Sequence, residues 1–319
     1  MNLKVFGTRG SVPISNKDSV EFGGNTTCIR LYDDSIPNKM ALILDAGSGF
    51  LPMGQEIIRN NIKDEISILF SHWHHDHTMG LFLSPLTFIK KFQLNIFGPV
   101  DKGIGPKQMM EHLMKPPFFP VDVREIRSHF SYHPIEFPKS MVILIHKNGI
   151  SSMELDEYED TIKKEDYLQV GKGKYPLKEF IVAKMYCSKH PELCISYRFE
   201  NMDDGKVFAF LTDNENEDGI PTGLKNHVKN ADLLIIDSQY RRSTYDNGQC
   251  GFGHGTADYA VKVALNCGVK RLGLSHHDPS STDQDIKEIL QEAVAHRNSM
   301  DSESKLEIFA CADYMEIKV

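Results

Sequence analysis

Apolar and polar residues along this chain fall into short bursts rather than long helical stripes. Runs rich in Val, Ile, Leu and Phe, bounded by Gly, Pro or Asp, predict strands at 3–6, 27–32, 41–44, 66–70, 93–97, 141–145, 180–186, 194–199, 206–211, 233–236 and 271–274. Helical spacing fits between some of them. One candidate, 51–60, follows Gly47-Ser48-Gly49, and another, 105–115, stops at Pro116-Pro117. A third, 256–267, has Thr256 as N-cap and Gly268 just past its end, and a fourth, 281–296, has hydroxyl residues before it. Many strands with interspersed helices, in no strict strand–helix–strand rhythm, predict an α/β fold: a layered sandwich with mixed sheets.

At 319 residues the chain is long enough to bury a full core, as one large domain or two smaller ones. The stretch 147–179 is the least core-like. It holds the acidic run 154–160 and the turn-rich Gly171-Lys172-Gly173-Lys174-Tyr175-Pro176. Candidate functional residues lie on both sides of it, so it reads as a surface insertion within a single domain spanning 1–319.

Composition adds exclusions. A hydrophobic fraction of 40% and a charged fraction of 25% are ordinary for a globular protein. The formal charge of −8 argues against broad phosphate neutralisation, and so against a long nucleic acid as substrate. No stretch reaches the roughly 18 apolar residues needed to cross a bilayer, and the start, Met1-Asn2-Leu3-Lys4-Val5-Phe6-Gly7, lacks the features of a signal peptide. The six cysteines (Cys28, Cys187, Cys194, Cys250, Cys267, Cys311) form no CxxC pair, and several fall in apolar runs. Reduced, mostly buried thiols in a cytoplasmic protein are expected.

Chemistry concentrates in His72-Trp73-His74-His75-Asp76-His77, directly after the predicted strand 66–70. Four imidazoles and one carboxylate in six residues are hard to explain as packing, because unsatisfied histidines are costly to bury and protonated neighbours repel. Neutral imidazole and carboxylate are the donors that zinc and similar borderline metals prefer. A solvated polyhistidine loop is the plain alternative, but this run is internal and broken by Trp and Asp. Further donors stand at strand edges: His190 before 194–199, Asp213 after 206–211, and His276 after 271–274. Singly, each reads as a cap or turn residue. Together they supply enough donors for two ions and a carboxylate to bridge them. A structural zinc site is disfavoured, since those are usually closed by four ligands with Cys prominent.

His72-x-His74-x-Asp76-His77 resembles the HxHxDH signature of the metallo-β-lactamase superfamily, and His190, Asp213 and His276 follow in the order in which that family places its other ligands. Phe6-Gly7-Thr8-Arg9-Gly10-Ser11, Gly23-Gly24-Asn25-Thr26-Thr27-Cys28, Leu44-Asp45-Ala46-Gly47 and His276-His277-Asp278-Pro279 resemble further family segments, so the match covers nearly the whole chain. The resemblance implies a four-layer αββα sandwich of two mixed sheets with two divalent metals, zinc in the first place and manganese or iron as alternatives, at one edge. His72, His74 and His190 would hold one ion, Asp76, His77 and His276 the other, and Asp213 would bridge them. Dimers are common in the family, and a homodimer is the assembly it implies.

Asp76 and Gly253-His254-Gly255-Thr256-Ala257-Asp258 are similar to features of the phosphodiesterase-like branch, which includes transfer-RNA 3′-processing nucleases and small-molecule phosphodiesterases. That likeness makes His254 a candidate proton donor, with Asp76 the other catalytic candidate. It implies hydrolysis of small phosphodiesters, cyclic nucleotides among them, with a metal-bridging hydroxide as nucleophile. Three alternatives stand: a lactone, thioester or sulfate-ester hydrolase, an RNA-processing nuclease, and an iron-bearing redox protein. The nucleases carry a Gly/Pro-rich arm that grips transfer RNA, and the acidic first half of 147–179 speaks against that role. Asp45 is expected to orient a ligand imidazole. His75 and His277 are weaker candidates, and His112, His129, His133, His146, His227 and His296 read as ordinary.

Overall fold

A computed structural model describes residues 1–60, 64–126, 130–137 and 139–319, so His129 lies outside the described residues. One sheet takes β1 (Asn2–Gly7), β2 (Cys28–Tyr32), β3 (Met40–Leu44), β4 (Glu65–Leu69), β5 (Gln93–Pro99) and β6 (Phe130–Ile135) in chain order. A second is built from β7 (Met141–His146), β8 (Gly149–Glu154), β11 (Ile181–Ser188), β12 (Cys194–Asn201), β13 (Val207–Leu211), β14 (Leu233–Asp237), β15 (Arg271–Ser275) and β16 (Glu307–Ala310). The hairpin of β9 (Tyr167–Val170) and β10 (Gly173–Pro176) stands apart, and β17 (Glu316–Lys318) returns to pair with β1.

Both faces of each main sheet are covered, which explains why the strands read as nearly continuous apolar runs. Alternation sorts the two faces. Leu42, Leu44 and Leu69 point between the sheets, against Ile143, Ala183, Tyr197, Phe199, Phe208 and Ile235. Ala41, Ile43, Ile66 and Ile68 point outward onto Phe50, Met53 and Ile57 of the helix Phe50–Asn60. Across the second sheet, Ala209, Leu211, Leu234, Ile236, Leu272 and Leu274 meet Ala260, Val261 and Ala264 of the helix Ala257–Asn266, with Ile289 and Ala293 of the helix Asp283–Met300. The result is a four-layer αββα sandwich, as expected from the sequence.

Residues 149–179 contain β8, the helix Leu155–Lys164 and the β9–β10 hairpin. Tyr158, Leu168 and Val170 pack over the outward Val142, Leu144 and Val182, so this acidic segment lies against the second sheet and extends its outer layer. All six cysteines are free. Among the described residues, no helix is long and apolar enough to cross a membrane.

Strand direction positions the site. β3, β4 and β5 run parallel, as do β13, β14 and β15, so within each set the carboxyl ends share one edge. β12 is antiparallel to β13 and therefore begins where β13 ends, which brings the β11–β12 turn to that edge as well. The two sheets are tied together there. Ile195 donates its backbone N–H to the Ser71 carbonyl at 2.8 Å, and the Tyr197 hydroxyl donates to the Phe70 carbonyl at 2.8 Å.

Candidate metal centre

The shared edge gathers every candidate donor named from the sequence. His72 and His74 leave the end of β4, and the helix His75–Leu83 begins at once, turning Asp76 and His77 inward on its first turn. His190 comes from the β11–β12 turn, Asp213 from the end of β13 and His276 from the end of β15. Donor atoms of His72, His74, His190 and Asp213 lie within 4.8 Å of one another, and so do those of Asp76, His77 and His276.

Asp213 spans the two sets. Its Oδ2 lies 3.4 Å from His72 Nε2 and 3.8 Å from His190 Nε2, while its Oδ1 lies 3.1 Å from His77 Nε2 and 3.2 Å from His276 Nε2. Asp76 Oδ2 is 3.3 Å from His77 Nε2 and 3.2 Å from His276 Nε2. His72 Nε2, His190 Nε2 and Asp213 Oδ2 are buried and have no hydrogen-bond partner. Such atoms normally find one, and here the three converge on one another. A cation between them satisfies all three, so the donor set fits divalent metal ions.

The electrostatics agree. Burial depresses the pKa of His72 well below its ordinary value and also lowers that of His190, keeping both in the neutral, ligating form. Burial opposes charge on Asp213, yet His276, His77 and His72 hold its pKa well below the usual carboxylate range. Burial likewise opposes protonation of His77, but Asp213, Asp76 and Asp45 outweigh it and raise the pKa. So much negative charge around one imidazole is an environment that calls for a cation.

Behind these groups lies a frame of hydrogen bonds. Asp45 accepts from the Ser71 N–H at 2.7 Å, the Ser71 hydroxyl at 2.8 Å and His77 Nδ1 at 2.8 Å, which leaves His77 Nε2 facing the cluster. The Gln239 side-chain carbonyl, 2.9 Å from His276 Nδ1, does the same for His276. Asp76 Oδ2 accepts the Ser11 N–H at 2.8 Å. Asp45 (φ 55°), Asp213 (φ 25°), His276 (φ 59°) and Ser11 (φ 61°) all adopt left-handed backbone, a conformation costing about 1–3 kcal/mol each and commonly found at functional sites. Gly10 is required by proximity, since a Cβ there would meet the His276 ring at 2.4 Å.

His254 stands at the rim. Its Nδ1 lies 3.0 Å from Asp237 Oδ2, 3.8 Å from Asp213 Oδ2, and its ring stacks on His276 at 4.9 Å. It is therefore closer to the cluster than a separate outer residue, and Asp213, His254 and His276 form a third compatible donor group. Burial opposes charge on His254, but the Asp237 carboxylate prevails and pushes its pKa up to about 9. Gly253 (φ 91°) brings the chain against His190, where a Cβ would come within 2.5 Å of the ring.

No protein-family model matches the chain. Among curated proteins it is 28% identical over 302 residues to ribonuclease Z of Picrophilus torridus, covering 91% of this chain and 89% of that one. Among solved structures it matches the metallo-β-lactamase fold protein YhfI from Bacillus subtilis with a TM-score of 0.60 at 17% identity, over 99% and 98% of the two chains. The chain has the metallo-β-lactamase fold. This is the fold that the resemblance carried by His72, His74, Asp76 and His77 implies. The short form of human tRNase Z shares this fold, with a TM-score of 0.58 at 17% identity over 100% and 99% of the chains.

On this metallo-β-lactamase frame, the residues singled out more weakly separate. His75 is exposed, whereas His277 is buried with Nε2 2.9 Å from the Cys311 carbonyl, a satisfied core histidine. Sequence reasoning missed Asp237, Gln239, Glu192 and Glu215. Asp237 had a readable signal, since it ends an apolar run as Asp213 does. The other three had none, because each acts through a loop partner distant in sequence or hidden by turn geometry.

Proposed function

We propose that this chain is a dinuclear metal-dependent hydrolase that cleaves RNA phosphodiesters. The observation that carries the metal chemistry is the Asp213 carboxylate, whose two oxygens face two different sets of imidazoles at 3.1–3.8 Å. Likeness to ribonuclease Z over 91% of the chain supports RNA as the substrate, and seven further curated relatives at 23–26% identity carry the same name. This reverses the order of two readings drawn from the sequence, where the charge of −8 ranked small phosphodiesters ahead of an RNA-processing nuclease.

In this reading His72, His74 and His190 would hold one ion and Asp76, His77 and His276 the other, with Asp213 available to both. When bound, two divalent ions supply an activated water and offset charge on the nonbridging phosphate oxygens. The chain's own groups do the rest. Asp45 and Gln239 hold His77 and His276 with Nε2 toward the cluster. Asp237 engages His254 at Nδ1, leaving Nε2 to carry a proton toward the departing oxygen.

The small-phosphodiester reading keeps one specific support besides the charge. Residues 149–179 lie packed on the second sheet around Tyr158, 1% exposed, rather than standing free as a gripping arm. The deciding experiment compares kcat/KM of the metal-loaded protein on a transfer-RNA precursor with a 3′ extension, on cyclic nucleotides and on a p-nitrophenyl phosphodiester. Efficient RNA cleavage is expected. Turnover confined to the small diesters would transfer the function to the second reading, and turnover of lactones or thioesters alone would overturn both.

A further inference from the structure

Five imidazoles are proposed to bind the ions, and four of them are held by burial. The side chains of His72, His77, His190 and His276 are at most 1% exposed, whereas that of His74 is 44% exposed. Packing therefore does little to fix the His74 ring, although it completes a compact triangle. The ring centroids of His72, His74 and His190 are 4.5, 4.8 and 4.9 Å apart. A solvent-facing imidazole can rotate and exchange tautomers, and each such freedom must be lost when a metal binds.

Glu192 stands where it removes both freedoms. Its Oε2 lies 3.2 Å from His74 Nε2, which leaves Nδ1 as the nitrogen of His74 open to a metal. The same residue meets His190 through its backbone, since the Glu192 carbonyl and N–H lie 3.2 and 3.3 Å from His190 Nδ1 and leave the buried, partnerless Nε2 facing Asp213. Both contacts come from one short turn, His190-Pro191-Glu192, in which the proline ring narrows the backbone choices of itself and the residue before it. Lys102 Nζ lies 3.8 Å from the other carboxylate oxygen, Oε1, so Oε2 is left to His74.

We infer that Glu192 is a positioning residue for the first metal site, holding His74 by its carboxylate and His190 by its backbone. It acts as Asp45 does for His77, but from the solvent side, where burial gives no help. Carboxylates in this relation to a ligating imidazole fix its tautomer and raise its basicity, and their removal typically weakens metal binding about ten- to a hundredfold. The inference rests on the metal assignment and not on the substrate.

The test uses the full chain, stripped of metal, as wild type, Glu192→Ala and Glu192→Gln. Zinc is titrated against a competing chelator, and the tautomer of His74 is read in the metal-free proteins by long-range proton–nitrogen NMR. Glu192→Ala is expected to weaken one of two zinc sites about ten- to a hundredfold, leave the other unchanged, and turn His74 from the Nε2–H form to a mixture. Glu192→Gln, which keeps an acceptor oxygen, is expected to restore most of the affinity and the Nε2–H form. Wild-type affinity at both sites in Glu192→Ala, or an unchanged His74 tautomer, would overturn the inference. Failure of the wild type to bind zinc would instead strike the metal assignment, and the NMR comparison would still decide what Glu192 does to His74.

Discussion

The Nδ1 of His254 lies 3.0 Å from Oδ2 of Asp237, and both residues belong to the rim of the Asp213 cluster. Asp237 sits at the end of β14 and also accepts backbone N–H groups from Asn214 and Gln239, so its carboxylate cannot easily swing away. This makes His254 a directed group.

If His254 protonates the leaving oxygen, His254→Ala keeps both metals and lowers kcat on diesters with alkoxide leaving groups by about a hundredfold or more. Hydrolysis of a p-nitrophenyl diester, whose leaving group needs little protonation, falls much less. Asp237→Asn is expected to show the same leaving-group pattern, and the double variant to lose little more than either single one. Equal losses on both substrates count against proton transfer. Loss of metal with activity would make His254 a ligand, as its 3.8 Å distance from Asp213 permits.

Metal content separates the two sets. Asp213→Ala is expected to empty both sites, since one carboxylate faces both. Asp76→Ala is expected to lower the second site more than the first, which keeps His72, His74 and His190. Elemental analysis of dialysed protein checks both, and a metal-loaded crystal structure should show two ions roughly 3.5–4 Å apart.

Glu215 is buried and ties down the loop that delivers His254. Its Oε2 accepts the N–H groups of Gly251 at 2.9 Å and Gly253 at 2.8 Å, and its Oε1 accepts the Tyr245 hydroxyl. Glu215→Ala should lower kcat, by up to about a hundredfold if His254 shifts by an ångström, with metal content unchanged. Paired rate and metal measurements on the same samples check this. Loss of metal would place Glu215 in a different role.

Stability should depend on pH through His227, which is not one of the cluster's donors. It is buried, with Nε2 2.9 Å from the Ser196 hydroxyl, and burial, with Arg198 and Lys184 nearby, lowers its pKa from 6.5 to about 3. A depressed histidine pKa means that the unfolded chain takes up the proton first. The stabilisation is therefore full above pH 6.5 and is lost as pH falls toward about 3. In that window the slope from this group approaches one proton, about 1.4 kcal/mol per pH unit. Urea unfolding from pH 7 to 4 should be less pH-dependent in His227→Gln than in the wild type, whatever the offset in absolute stability.

The sequence by itself determined the sheets and the main donors. Strands buried on both faces must be apolar throughout, so β3, β4, β13, β14 and β15 were legible as runs. His72, His74, Asp76 and His77 stand in one hexapeptide, and Asp213 and His276 directly follow apolar runs, so their chemistry needed no coordinates to be noticed. Less was visible at the margins. β9, β10, β16 and β17 are short, and these strands, with β6 and β8, lie at edges or in a separate hairpin and bury few residues, so they lack the contrast that marks a strand.

Only the tertiary structure decided which strand ends meet and which nitrogen of each imidazole faces inward. The first depends on strand direction, because β13, β14 and β15 share an edge only by running parallel. The second depends on partners far along the chain or across a turn: Asp45 for His77, Gln239 for His276, Asp237 for His254 and Glu192 for His74. Such pairs carry no periodic pattern, because a hydrogen bond is set by the position of two atoms within a few tenths of an ångström. Those positions are products of the whole packed fold, including the left-handed backbone at Asp45, Asp213 and His276, which Asp and His tolerate better than most residues but adopt only where the fold imposes it.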